Sequence, residues 1–82
     1  MKQLIYFTAG WCPSCQNMKP TISQLKKTGI QIAEIDVDYD AQYVQQYGIK
    51  NIPALVLLEN GNEVRRSIGY RDMNQVNTFI NG

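Results

Sequence analysis

The chain has 82 residues, a mass of 9.4 kDa and a net charge of +1, enough for one domain with a single core, which excludes a two-domain enzyme. Hydrophobic residues make up 44% of the chain and charged residues 18%, a balance typical of a globular protein rather than a disordered one. Eight Lys and Arg against seven Asp and Glu leave no positive excess for binding phosphates, so we expect no nucleic-acid partner.

The first half of the chain predicts two strands separated by a long helix. Residues 4–7 are the apolar run Leu-Ile-Tyr-Phe, which suits a strand buried on both faces. A helical face with spacings of three and four follows over residues 13–28, formed by Cys15, Met18, Ile22 and Leu25. Pro20 lacks a backbone donor and is expected to kink this helix. Isoleucine and valine recur over residues 30–37 and predict the second strand.

A short helix is predicted over residues 41–47, and Gly48 is expected to end it. Three aspartates precede this helix in a D-x-D-x-D spacing, at positions 36, 38 and 40. That spacing resembles the opening of a calcium loop, but Ala41 and Tyr47 stand where such a loop needs Gly and Glu. We therefore expect Asp38 or Asp40 to cap the short helix.

The last third of the chain predicts a hairpin and a final helix. Asn60-Gly61 tolerates the positive φ angles of a type I′ turn, so strands are expected over residues 49–58 and 63–68. Asp72 and Gln75 form a capping-box pattern at the start of the last helix. The order strand, helix, strand, helix, strand, strand, helix predicts one α/β domain over residues 1–82, with a four-stranded mixed sheet and helices on both faces.

No segment has the length of a membrane span. The longest apolar runs, residues 4–7 and 54–58, are far shorter than the about 20 residues that a spanning helix needs, so we expect no membrane partner. The first ten residues lack the apolar stretch and small-residue cleavage site of a signal peptide, which predicts a cytoplasmic protein. We also expect the protein to be a monomer.

Two cysteines carry the chemistry of the chain. Together with the absence of histidine, they exclude Ser-His and Cys-His nucleophiles and a four-ligand zinc site within one chain. Cys12 and Cys15 stand one helical turn apart at a strand-to-helix junction, close enough to form a disulfide. Free backbone donors at the helix start predict a Cys12 pKa below the free value of about 8.5. Cys15, one turn inside, is expected to stay protonated until it is needed.

This pair predicts thiol–disulfide exchange, in which Cys12 attacks a substrate disulfide and Cys15 resolves the mixed disulfide. Two alternatives stay open. A purely structural disulfide would close a loop of about four residues and yield only about 2 kcal/mol. A metal or an iron–sulfur cluster would need thiolates from two chains or help from glutathione. Neither has support elsewhere in the sequence, so we expect no bound cofactor, only a redox-active Cys12–Cys15 disulfide.

Six features in chain order resemble the thioredoxin family, in a small form of glutaredoxin size. They are Trp11-Cys12-x-x-Cys15, Pro20, Tyr47-Gly48-Ile49, Ile52-Pro53, Asn60-Gly61 and Ile68-Gly69. The resemblance covers nearly the whole chain and is to the minimal core of the fold, without the extra N-terminal strand and helix of full-length thioredoxins.

The resemblance implies a substrate groove beside the cysteines. The Ile52–Pro53 bond is expected to be cis and to offer the Ile52 backbone to an extended client. An apolar rim with exposed backbone suits such a client, through strand pairing and aromatic contact. The alternative for the rim's tryptophan is ordinary packing against a neighbouring loop. The residues expected to bind substrate are Trp11, Pro13, Ile52, Pro53, Gly69 and Tyr70.

Two positions depart from the thioredoxin pattern. Tyr6 stands where the family carries a buried Asp that helps to deprotonate the resolving thiol, and Glu34 stands where it carries a Lys. The family's proton relay is therefore not expected in its usual form, and Glu34 is a candidate for part of the base's role.

Glutaredoxins are the nearest alternative, because they carry Pro directly after the first cysteine, where thioredoxins usually carry Gly-Pro. Here that residue is Pro13. Three residues that glutaredoxins use to bind glutathione are replaced here, at Ala9, Tyr70 and Met73. The three arginines of residues 65–71 could attract a carboxylate of glutathione, but such a group is more typical of a solvated face. A weak glutathione site is expected.

The expected function is therefore a thiol–disulfide oxidoreductase that reduces the disulfides of client proteins, with a thioredoxin-reductase-type protein as electron donor. Ribonucleotide reductase is one candidate client by resemblance. The alternatives are a glutathione-dependent reductase of the glutaredoxin type and a non-catalytic binding subunit with the same fold, whose thiols are incidental.

Overall fold

The computed structural model describes residues 1–82. Its elements are β1 (Lys2–Thr8), α1 (Pro13–Asn17), α2 (Lys19–Lys26), β2 (Gln31–Asp36), α3 (Ala41–Tyr47), β3 (Ala54–Glu59), β4 (Asn62–Ile68) and α4 (Met73–Asn81). The strands form one sheet in the order β2-β1-β3-β4, parallel between β1 and β2 and antiparallel elsewhere. The predicted α/β fold with a four-stranded mixed sheet is confirmed. None of the helices has the length and apolar character that crossing a bilayer requires.

β1 is one of the two inner strands of the sheet, and its central side chains are buried on both faces. Leu4 and Tyr6 lie in a core with residues of α2 and α4 on one face. Ile5 and Phe7 point the other way and lie in a second core, against which α3 packs. Successive side chains of a strand point to opposite faces, so the unbroken apolar run of β1 requires helices on both sides, as predicted.

The long helix predicted over residues 13–28 is in fact two helices, divided at Met18 and ending at Lys26. Pro20 has no backbone N–H to donate to the carbonyl of Gln16, which interrupts the helical pattern. The Met18 N–H instead donates to the Cys15 carbonyl at 3.1 Å, a tighter turn. The prediction that Pro20 disturbs the helix is confirmed. The predicted kink in one continuous helix is wrong, because the structure has a break between α1 and α2.

The strand predicted from residue 49 begins only at Ala54. Pro53 cannot donate to a neighbouring strand, which confines it to a strand's beginning or edge, and the Ile52–Pro53 peptide bond is cis. The predicted turn is present: Asn60 has φ 53° and Gly61 has φ 87°, both in the left-handed region that a type I′ turn requires.

The two predicted helix caps have different outcomes. At α4, the Asp72 carboxylate accepts from the Gln75 N–H at 2.8 Å, and the Gln75 side chain accepts from the Asp72 N–H at 2.9 Å. At α3, Asp40 occupies the cap position but makes no side-chain cap bond. The expectation that Asp38 or Asp40 caps α3 is wrong, because the Asp38 carboxylate instead accepts a hydrogen bond from Trp11.

Replacing Asp72 by Ala should lower the free energy of unfolding by about 1 kcal/mol, because the first turn of α4 loses its acceptor. Asp40→Ala is the matched control: it removes the same side chain at a cap position without a cap bond, and it should cost less than about 0.5 kcal/mol. Urea unfolding followed by circular dichroism measures both. Equal losses in the two variants would show that the capping box adds nothing.

Candidate active site

The two cysteines lie where β1 meets α1. Cys12 is the N-cap residue of α1 with an extended backbone (φ −97°, ψ 109°), and Pro13 occupies the first helical turn, where the missing N–H of proline costs nothing. One turn later, Cys15 faces the same side. Their Cα atoms are 5.2 Å apart and their sulfurs form a disulfide, so the predicted bridge is within reach of the backbone.

The Cys12 sulfur serves as the cap of the helix. Cys12 Sγ accepts a hydrogen bond from the Cys15 N–H at 3.2 Å, and the Ser14 hydroxyl lies 3.5 Å from the same sulfur. In the reduced protein these donors would stabilise a negative charge on Cys12 Sγ. Cys12 retains 5% of its surface, whereas Cys15 is fully buried. Of the two cysteines, only Cys12 therefore has any exposed surface.

Tyr6 closes the floor of the site. Its side chain is 1% exposed, and its hydroxyl donates to the Cys15 carbonyl at 2.9 Å. The same carbonyl accepts the Met18 N–H, so Tyr6 ties β1 to the break between α1 and α2. The sequence does not predict this bond, because the bond depends on how α1 is placed against β1.

The ionisation of Tyr6 is suppressed by its position. Burial is the main cause that raises its pKa above 10.0, and the neighbouring Glu34 carboxylate adds to the rise, while the Thr8 hydroxyl partly offsets it. Glu34 itself forms an ion pair with Lys26, and both side chains are about half exposed. The group beneath Cys15 is therefore a neutral hydroxyl at neutral pH.

One side of the site is formed by Trp11. Its side chain is 67% exposed, and its indole Nε1 donates to Asp38 Oδ2 at 2.8 Å. The Asp38 N–H in turn donates to Asp36 Oδ1 at 2.9 Å. Most of the indole is therefore open to solvent, while its N–H is held by the loop that follows β2. Asp38 was missed as a site residue. Its signal in the sequence was that it follows β2, the parallel neighbour of β1.

The other side is formed by the loop before β3 and the end of β4. Ile52 packs against the small core that contains Cys12 and Cys15, and the Gly69 N–H donates to the Pro53 carbonyl at 2.8 Å. Three of the residues expected to bind substrate, Ile52, Pro53 and Gly69, thus lie together beside the cysteines. Tyr70 follows Gly69 and is 46% exposed, with no hydrogen bond from its side chain to this group. Pro13 is exposed at the helix start.

The chain is similar to thioredoxins both in sequence and in structure. The family model described as Thioredoxin matches residues 1–82. The thioredoxin of Chlamydia trachomatis is 33% identical over 79 residues, covering 94% of this chain and 78% of that relative. The thioredoxin of Bacillus subtilis is 30% identical over 78 residues, covering 92% and 75%. A mutant thioredoxin from Halobacterium salinarum is similar in structure, with a TM-score of 0.90 at 32% identity over 96% of this chain and 71% of that one.

A pair of cysteines at disulfide distance on this fold defines a thiol–disulfide oxidoreductase. The chain belongs to the thioredoxin family. It is a protein-disulfide reductase that works by dithiol exchange through Cys12 and Cys15, as expected from the sequence. The glutaredoxin-type alternative is not favoured.

Replacing Tyr6 by Phe should lower stability by about 1 kcal/mol at neutral pH, because the Cys15 carbonyl loses a buried donor. The variant should also change how the free energy of unfolding depends on pH. A folded-state pKa above 10.0 means that Tyr6 contributes stability fully below pH 10 and loses it as the pH rises through the folded-state pKa.

The free energy of unfolding of the oxidised wild type should therefore fall more steeply above about pH 10 than that of Tyr6→Phe. Urea unfolding at a series of pH values measures the difference. Parallel curves across this range would show that burial of the Tyr6 hydroxyl does not affect its ionisation.

Proposed function

We propose that Cys12 is the attacking thiolate and Cys15 the resolving thiol in the reduction of client proteins. The observation that carries this assignment is the hydrogen bond from the Cys15 N–H to Cys12 Sγ, since a donor held against the sulfur favours thiolate over thiol. The difference in burial supports the same division, because only Cys12 reaches the surface.

The reaction moves two electrons in two displacements. The Cys12 thiolate attacks one sulfur of the client disulfide, and the other client sulfur leaves as a thiolate that takes a proton from solvent. Cys15 then loses its proton and attacks Cys12 Sγ, which breaks the mixed disulfide and releases the second client thiol. The client gains two electrons and two protons, and the protein is left with the Cys12–Cys15 disulfide.

The groove beside the sulfurs holds the client as an extended segment. Exposed aromatic surface on one side and accessible backbone on the other suit strand-like pairing with a peptide. Cis-Pro53 and Gly69 lie together through their backbone hydrogen bond. The residues assigned to client binding are Trp11, Pro13, Ile52, Pro53, Gly69 and Tyr70.

The proposal extends to the partners. Clients are proteins with accessible disulfides, with ribonucleotide reductase as one candidate, and the electron donor is a thioredoxin-reductase-type protein rather than glutathione. The replacements at Ala9, Tyr70 and Met73 support this choice of donor. The protein acts as a cytoplasmic monomer, and its only redox centre is the Cys12–Cys15 disulfide, with no bound cofactor.

The purified protein should catalyse NADPH-dependent reduction of insulin disulfides when coupled to thioredoxin reductase, and should be much less active with glutathione and glutathione reductase. Cys12→Ser and Cys15→Ser should each abolish turnover, because a full cycle needs both thiols. Activity only with glutathione would overturn the donor assignment. Absence of activity with reductases from several sources would favour the non-catalytic binding subunit.

A further inference from the structure

Arg71 lies at one end of the client groove. A Cβ placed on Gly69 would lie 3.6 Å from Arg71 Nη1, and the Gly69 N–H is bonded to the Pro53 carbonyl. Ile52, the residue before Pro53, packs against the core that contains Cys12. A client segment that runs past the cysteines and over Gly69 would therefore meet the guanidinium.

The guanidinium of Arg71 has no carboxylate partner in the chain. The two ion pairs of the protein are Lys26–Glu34 and Glu63–Arg66, and the one side-chain hydrogen bond of Arg71 is to the neighbouring Tyr70 carbonyl at 2.8 Å. A guanidinium has five donors, so most of its hydrogen-bonding capacity remains open. Arg71 is also half-buried, which restricts the directions in which it can bind a partner.

The opposite end of the groove carries the opposite charge. The sheet order places β2 and β4 at opposite edges, so the aspartates that follow β2 and the arginine that follows β4 lie on different sides of Cys12. Asp38 is fixed on its side by the indole of Trp11. The groove thus runs from a carboxylate beside Trp11 to a guanidinium beside Gly69.

We propose that Arg71 selects client disulfides with a carboxylate side chain on the segment that lies over Gly69. Asp38 disfavours clients that place a carboxylate beside Trp11 and a positive charge over Gly69. The inference rests on the proposed function and adds a substrate preference to it. A planar guanidinium binds a carboxylate with two parallel hydrogen bonds. Because the pair lies at the rim of the groove, its main effect is on the rate of productive encounter.

The experiment uses three synthetic peptides, each with one cysteine in a mixed disulfide with 2-mercaptoethanol. The first has two Asp before the cysteine and two Lys after it, the second has these flanks exchanged, and the third has Gln at all four positions. Protein that has been reduced and freed of reductant is mixed with excess peptide and quenched with acid. The second-order rate constant is then measured by chromatography, without any electron donor protein.

The charged isomer that places its aspartates over Gly69 should react about fivefold faster than the other at low salt. This ratio of rate constants corresponds to about 1 kcal/mol, and it should shrink at high salt. Arg71→Gln should remove most of this preference, measured as the ratio of the two charged-peptide rates within each variant. Arg65→Gln is the matched control, because Arg65 donates to the Phe79 carbonyl of α4 and its loss removes the same charge. This control should keep the preference.

Equal rates for the two charged isomers in the wild type would overturn the proposal. So would an unchanged preference in Arg71→Gln, or an equal loss in Arg65→Gln, which would indicate an effect of net charge alone. Failure of the proposed function has a different signature, because the uncharged peptide would then not be reduced by any variant.

Discussion

The hydrogen bond between the Cys15 N–H and Cys12 Sγ joins the fold to its chemistry. The start of every helix leaves backbone donors that need an acceptor, and here the acceptor is the sulfur that reacts. β1 ends at Thr8 and α1 begins at Pro13, a residue suited to the first helical turn. The same geometry caps α1, holds the two sulfurs within bonding distance and favours a negative charge on the outer one.

The side chains around Cys12 and Cys15 include few groups that ionise near neutral pH. Tyr6 supplies the buried donor beneath Cys15 and stays neutral, because burial raises its pKa above the ordinary value. The chain contains no histidine. Neither an imidazole nor an ionised Tyr6 therefore lies beside the thiols near neutral pH. The buried carboxylate that the family carries at the position of Tyr6 is therefore replaced here by a neutral hydroxyl.

The features predicted correctly from the sequence are those that depend on neighbours a few residues apart. Examples are the turn at Asn60-Gly61, the Asp72 capping box and the position of the cysteines at the start of a helix. The features that were missed depend on where distant segments meet. The Trp11–Asp38 hydrogen bond requires the pairing of β1 with β2. The Tyr6–Cys15 hydrogen bond requires the placement of α1 against β1, and no local pattern contains either arrangement.

The most direct test is the pH dependence of alkylation of the reduced protein by iodoacetamide, with each cysteine followed by mass spectrometry. The structure predicts that Cys12 is modified first and that its rate reaches half of its maximum below the pKa of a free cysteine, about 8.5. Cys15 should react far more slowly, because it is fully buried. Modification of Cys15 first, or a Cys12 rate that rises only at or above pH 8.5, would contradict the assignment of Cys12 as the helix-stabilised nucleophile.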